Sequence, residues 1–216
     1  LAAALLAAYP VPLAPGTAPS YSRGATLYAQ NCASCHGAGG DGHGPAAASL
    51  STPPIAFTDL DRARQRSVFA LYQILTQGLD GTAMPSFARL PTDDRWALAF
   101  FAGHFAFDAR RAEAGERLWK SDAALHSLLP DPKALTATTP ETLASRLGTD
   151  KAYALMAYLR RHPDAIAGQA PGSLSLVRER LRQSTAANRA GDKAKARELA
   201  LSAYLDGFEP VEPVLG

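Results

Sequence analysis

The chain has 216 residues, 47% of them hydrophobic and 19% charged, and its 22 Lys and Arg against 20 Asp and Glu leave a formal net charge of +2. This is the composition of a folded globular protein long enough for one large or two small domains. No run of five or more like charges occurs, so nucleic acid is not an expected partner. No stretch reaches the roughly 20 apolar residues that a membrane-spanning helix needs.

Leu1 to Ala8 are apolar and Ala-rich and run into a Pro-rich stretch, Tyr9 to Ser20. That is the pattern of a signal-peptide tail followed by a flexible leader, so residues 1–20 are expected to be a leader remnant and the protein to be exported. A short helix is expected over Ser22–Gln30. Gly37 to Pro54 has neither helical nor strand period, being rich in Gly, Pro, Ser and Ala, and reads as a loop wrapped around something other than its own side chains. Val68, Leu71, Tyr72 and Leu75 recur at the spacing of one buried helical face before Gly78 stops the run. Thr92 stands as the N-cap of the next helix, with Asp93 and Asp94 in the first turn, where the helix dipole favours carboxylates. That helix is expected to run to about Phe105.

After Asp108 the composition changes to a second, mostly helical half. Thr139-Pro140-Glu141 sets a capping residue before a Pro at the first helical position. Asp150 opens a helix that ends before His162-Pro163. Ser173 to Leu205 reads as two helices joined at Ala190-Gly191-Asp192, with Leu174, Val177, Leu181 and Ser184 on the face turned toward Leu199 and Ala203. Strand alternation is nowhere sustained and no internal repeat stands out, so the fold class is all-α.

Both cysteines fall in Cys32-Ala33-Ser34-Cys35-His36, the C-x-x-C-H pattern of c-type haem attachment. Two thiols three positions apart at a helix end can each add to one haem vinyl group, which sets the adjacent imidazole under the iron. A disulfide redox pair would call for a βαβ context, and a zinc site for four ligands. The expected cofactor is therefore one haem c, held by Cys32, Cys35 and His36. For the sixth iron position Met84, in Gly81-Thr82-Ala83-Met84-Pro85, is the candidate, because a methionine in a Gly/Pro loop gains nothing from core packing. Met156, on a helical face, is expected to pack in a core. His43 and His104 are expected at the surface.

From these residues onward the chain resembles a class I cytochrome c over 24–106. Gly24, Tyr28 and Cys32 match the family's first helix, whose glycine lets the last helix cross closely, and Leu98 and Phe101 stand where that last helix supplies its leucine and aromatic partner. The resemblance implies that a proline carbonyl orients the histidine, with Pro45 as candidate and Pro53 and Pro54 open. Trp96 is either packing or a haem contact. The segment from Ala200 to Pro213 resembles the periplasmic stretch that follows the haem domain in bacterial fusions of cytochrome c to a high-affinity iron permease. That resemblance implies a class I cytochrome c domain over 21–106, a helix-hairpin domain over 107–216 cut short before membrane helices, and a periplasmic electron-transfer protein rather than an enzyme. It further implies a redox partner protein or ferrous iron as partner, with Asp206, Glu209 and Glu212 as oxygen ligands for iron. The alternative is a cytochrome domain serving a periplasmic dehydrogenase or oxidase.

Overall fold

The computed structural model describes residues 12–167 and 173–208. Among them every regular element is helical. The chain divides into two compact units at Ile166/Ala167, so the expected boundary at 106/107 falls inside the first.

The first unit begins with α1 (Tyr21–Asn31), capped by Ser20, whose hydroxyl accepts from the Arg23 amide. A single turn, α2 (Ala33–His36), follows, then α3 (Leu60–Ala63), α4 (Val68–Gln77) and α5 (Thr92–Ala102). Pro91, not Thr92, occupies the N-cap of α5, and Thr92 is its first helical residue. α1 crosses α5 so closely that a Cβ on Gly24 would lie 2.4 Å from the Ala97 carbonyl oxygen and 2.8 Å from Phe101 Cβ. Arg23 clamps the crossing with two hydrogen bonds to Asp94, of 2.8 and 2.6 Å. α4 packs on the other side of α5 through Val68, Leu71, Tyr72 and Leu75, all buried. Trp96 is fully buried and stacks on Tyr72, with ring centroids 4.0 Å apart.

The chain continues through α6 (Ala109–Ser121), α7 (Ala124–Leu128), α8 (Pro132–Ala137), α9 (Pro140–Leu147), α10 (Thr149–Arg161) and α11 (Asp164–Ala167). Every residue of α10 from Ala152 to Arg160 is buried, as expected of a helix enclosed by others. Arg160 fastens α10 to the first helices, donating to the Gly103 carbonyl at 2.7 Å and the Arg66 carbonyl at 2.8 Å. The amide of Glu141 donates to the Arg64 carbonyl, and the two side chains pair at 2.7 Å. Ahead of α1 the Leu13 carbonyl accepts from the Thr136 hydroxyl and Pro15 is buried, while Gly16, Thr17, Ala18 and Ser20 are exposed.

These later helices repeat the earlier ones, although no repeat stands out in the amino-acid sequence. A Cβ on Gly115 of α6 would lie 1.9 Å from the Ala154 carbonyl oxygen and 2.8 Å from Tyr158 Cβ of α10. Gly115 therefore stands to Ala154 and Tyr158 as Gly24 stands to Ala97 and Phe101. One turn after each glycine comes a buried aromatic, Tyr28 or Trp119, and a short helix follows each long one. α4 and α9 match as well: Ser67 and Thr139 cap their starts, and Gly78 and Gly148 end them at φ of 78° and 81°. Thr92-Asp93 and Thr149-Asp150 then open the final helices.

The second unit is a hairpin of α12 (Ser173–Arg189) and α13 (Lys193–Ser202), continued by a π-helical turn, Ala203–Phe208. Gly191, at φ 86°, makes the turn, and Asp192 caps α13. The Ser184 hydroxyl donates across to the Ala196 carbonyl at 2.7 Å, and Ala196, Leu199 and Ala203 are buried. Leu181, expected on the inner face, is 47% exposed, as are Leu201 at 57% and Leu205 at 47%. Leu174 lies outside the described side chains.

Candidate haem site

Cys32, Cys35 and His36 are fixed by one helical turn at the end of α1: the amides of Cys35 and His36 both donate to the Cys32 carbonyl. The following loop then wraps this turn, with Gly42, Gly44 and Ala46 amides donating to the carbonyls of His36, Cys35 and Ser34. Gly44 is required there, since a Cβ would lie 2.3 Å from the Ser34 carbonyl oxygen. The hydroxyl of buried Tyr28 donates to the Gly37 carbonyl at 2.9 Å, pinning the loop to α1.

His36 is oriented on two sides. Its Nδ1 is 3.1 Å from the Ile55 carbonyl oxygen, to which it donates, and its ring stacks on Phe57 with centroids 4.6 Å apart. The Nε2 edge is thereby left for a ligand bond. The orienting carbonyl is that of Ile55, which corrects the expectation of Pro45: Pro45 is exposed and lies at the start of the loop, which returns to His36 only after Pro54.

Met84 sits in a loop tied to α4 at several points. Its own carbonyl accepts from the Leu79 amide, its amide donates to the Thr82 hydroxyl, and the Phe87 amide and Ser86 hydroxyl bond back to Leu75 and Thr76 carbonyls. Gly78 at the root of the loop leaves no room for a Cβ, which would lie 2.7 Å from the Ser86 nitrogen.

These pieces enclose one cleft of about 1000 Å³, open mouth included. Cys32, Cys35, His36 and Met84 line it together with apolar side chains, among them Leu71, Ile74, Leu75, Leu79 and Phe87. Burial pushes the Cys32 thiol up to about 11, the mark of an apolar wall. No disulfide joins the two cysteines. Two thiols, an oriented imidazole and a thioether in one apolar cleft fit a covalently attached haem, which Cys32, Cys35, His36 and Met84 would hold. Met156 is fully buried in α10, and His43 is exposed with its amide on Asp41.

His104 corrects the surface expectation, being 8% exposed. It packs against the first helix, its Nδ1 meeting the Phe101 carbonyl at the end of α5 and its Nε2 lying 3.1 Å from the Tyr21 hydroxyl of α1. Trp96 does not line the cleft, so its role is packing. In the repeat, Ala123, His126 and Ser127 occupy the places of Cys32, Cys35 and His36 when Gly115 is set on Gly24.

Residues 19–101 match the family described as cytochrome c oxidase, cbb3-type, subunit III. They form a class I-like c-type cytochrome domain. No curated protein matches the chain. A chain of the reducing HAO-like protein complex of Kuenenia stuttgartiensis aligns at 13% identity over 68% of this chain and 97% of that one. The TM-score of that alignment is 0.36. The acidic residues expected to bind iron fall beyond the description: Glu209 and Glu212 lie outside the described residues, as does the side chain of Asp206.

Proposed function

We propose that this chain is a one-haem electron carrier of the periplasm, not itself an enzyme, that exchanges electrons with a protein partner across the mouth of the cleft. The observation that carries the reading is the convergence of Cys32, Cys35, His36 and Met84 on one apolar cleft. A haem bound there supplies a reversible one-electron couple, and a thioether ligand raises its potential. The side chains of Ile55 and Leu79 line the cleft and are also 38% and 45% exposed, giving the mouth an apolar rim on which a partner can exclude water. The periplasmic part of this reading rests on the leader-like pattern of Leu1 to Ser20, an apolar stretch followed by a Pro-rich one. No observation on the described residues favours the iron-permease reading over a protein partner.

The wild-type protein is expected to keep its haem through acid-acetone extraction and to show the sulfur-to-iron charge-transfer band when oxidised. Met84→Ala should abolish that band while leaving the haem attached. A band that survives the substitution removes Met84 as ligand, and extractable haem removes the covalent site.

A further inference from the structure

Resting on the haem reading above, we propose that residues 109–166 are a second cytochrome frame without a haem, which raises the potential of the first haem through the buried guanidinium of Arg160. The repeat keeps what builds the frame: the glycine crossing of α6 with α10, the following aromatic, and the Thr139-capped helix ended by Gly148. It has lost what would hold the cofactor. Residues 79–91 carry Met84 between Gly78 and Thr92, whereas Gly148 leads directly into Thr149. The wrap between α2 and Ser67 spans residues 37–66, and its counterpart between α7 and Thr139 only 129–138. Side chains occupy the interior instead: Trp119, Leu125, Leu129, Leu135 and Leu143 are each at most 4% exposed.

Arg160 gives this frame a part in the first site. It is 1% exposed, and among the described residues no carboxylate pairs with it; its guanidinium donates to the two backbone carbonyls and lies over the Phe107 ring, 5.3 Å from the centroid, and its Nε has no hydrogen-bond partner. The point where a Cβ would stand on Gly103 lies 3.2 Å from Leu71 Cδ1 and 3.4 Å from Arg160 Nη1. Leu71 lines the haem cleft, as does Ala102 beside Gly103, so Leu71 reaches from the apolar wall of the cleft to the neighbourhood of the guanidinium. A fixed positive charge behind that apolar wall disfavours the oxidised, more positive iron and favours the reduced one. Carbonyl dipoles soften the field of Arg160 without cancelling its charge.

The test is spectroelectrochemical titration of the full-length holoprotein and of Arg160→Lys, Arg160→Gln and Arg160→Met. At the wild-type midpoint, the ratio of reduced to oxidised protein should fall about tenfold in the Gln and Met variants, the scale of a unit charge about 10 Å away in a protein interior. It should fall much less in the Lys variant. All variants should keep the charge-transfer band, which holds Met84 ligation constant. An unchanged midpoint in a neutral variant that retains haem and band overturns the proposal. So does loss of haem from both neutral variants while Lys retains it, since the side chain would then serve to hold Gly103 and Arg66. The haem-free claim is read from pyridine haemochrome against peptide concentration: one haem per chain is expected, and two overturns it. A wild-type chain with no covalent haem would instead sink the underlying haem reading.

Discussion

His104 makes a pair of hydrogen bonds that suits its neutral form, with Nδ1–H donating to the Phe101 carbonyl and Nε2 accepting from the Tyr21 hydroxyl. Burial, with Arg161 and Arg160 nearby, pushes it down to about 4. The unfolded chain, with an ordinary histidine near 6.5, takes up the proton first as pH falls. The contribution of His104 is therefore complete above about pH 6.5 and is lost as the pH drops toward 4, by at most about 3 kcal/mol. Denaturant unfolding at pH 7.5, 5.5 and 4.5 should show a steeper loss in wild type than in His104→Gln, which keeps a donor and an acceptor but does not titrate. Equal losses would take His104 out of the acid response. At this scale the sequence was legible where chemistry dictates spacing, as in Cys32, Cys35 and His36. It was silent where a return of the chain decides the outcome: neither Ile55 as the partner of His36 nor the burial of His104 has a local signal.

Helix existence could be read where a helix carries its own periodic face and punctuation, Val68 to Leu75 before Gly78 being the plainest case; α6, a charged stretch with Gly115 at its centre, was not among the expected helices. The repeat was hidden because its two halves share a frame and few residues. Gly115 in a charged stretch, Ala-Glu-Ala-Gly-Glu-Arg, looks like a weak point in a helix until the crossing helix is seen against it. Helix propensity alone predicts that Gly→Ala stabilises by about 1 kcal/mol. At Gly24 and Gly115 the new Cβ would instead stand 2.4 and 1.9 Å from a backbone oxygen of the crossing helix, and forcing the helices apart costs about 1–3 kcal/mol. Each Gly→Ala variant should thus unfold at lower denaturant than wild type with an unchanged slope. A gain in stability at either site would show that the crossing there is loose.

The molecule as a whole places the haem domain inside a larger unit that ends at Ile166, although the family match stops at residue 101. Composition could not show this, since the helices after Asp108 read as a separate half when their faces are considered alone. The ties are specific: Arg160 on the carbonyls of Gly103 and Arg66, Arg64 with Glu141, and α8 against α4, whose inner face lines the cleft. A chain ending at Asp108 leaves both carbonyls and the outer flank of α4 in water, and it discards the ring of Tyr153, 5.7 Å from that of Phe107. A chain ending at Ile166 keeps all of them and loses only the hairpin. The piece ending at Ile166 should therefore melt within a few degrees of the full chain when followed by haem absorbance. The piece ending at Asp108 should melt roughly 10 °C lower or more, because each kcal/mol lost from a domain of that size is worth about 4–8 °C. If the shorter piece melts with the full chain, the haem domain stands alone and the second frame contributes nothing to its stability. If the longer piece fails as the shorter one does, the hairpin supports the first unit, and the division at Ile166 does not mark a folding boundary.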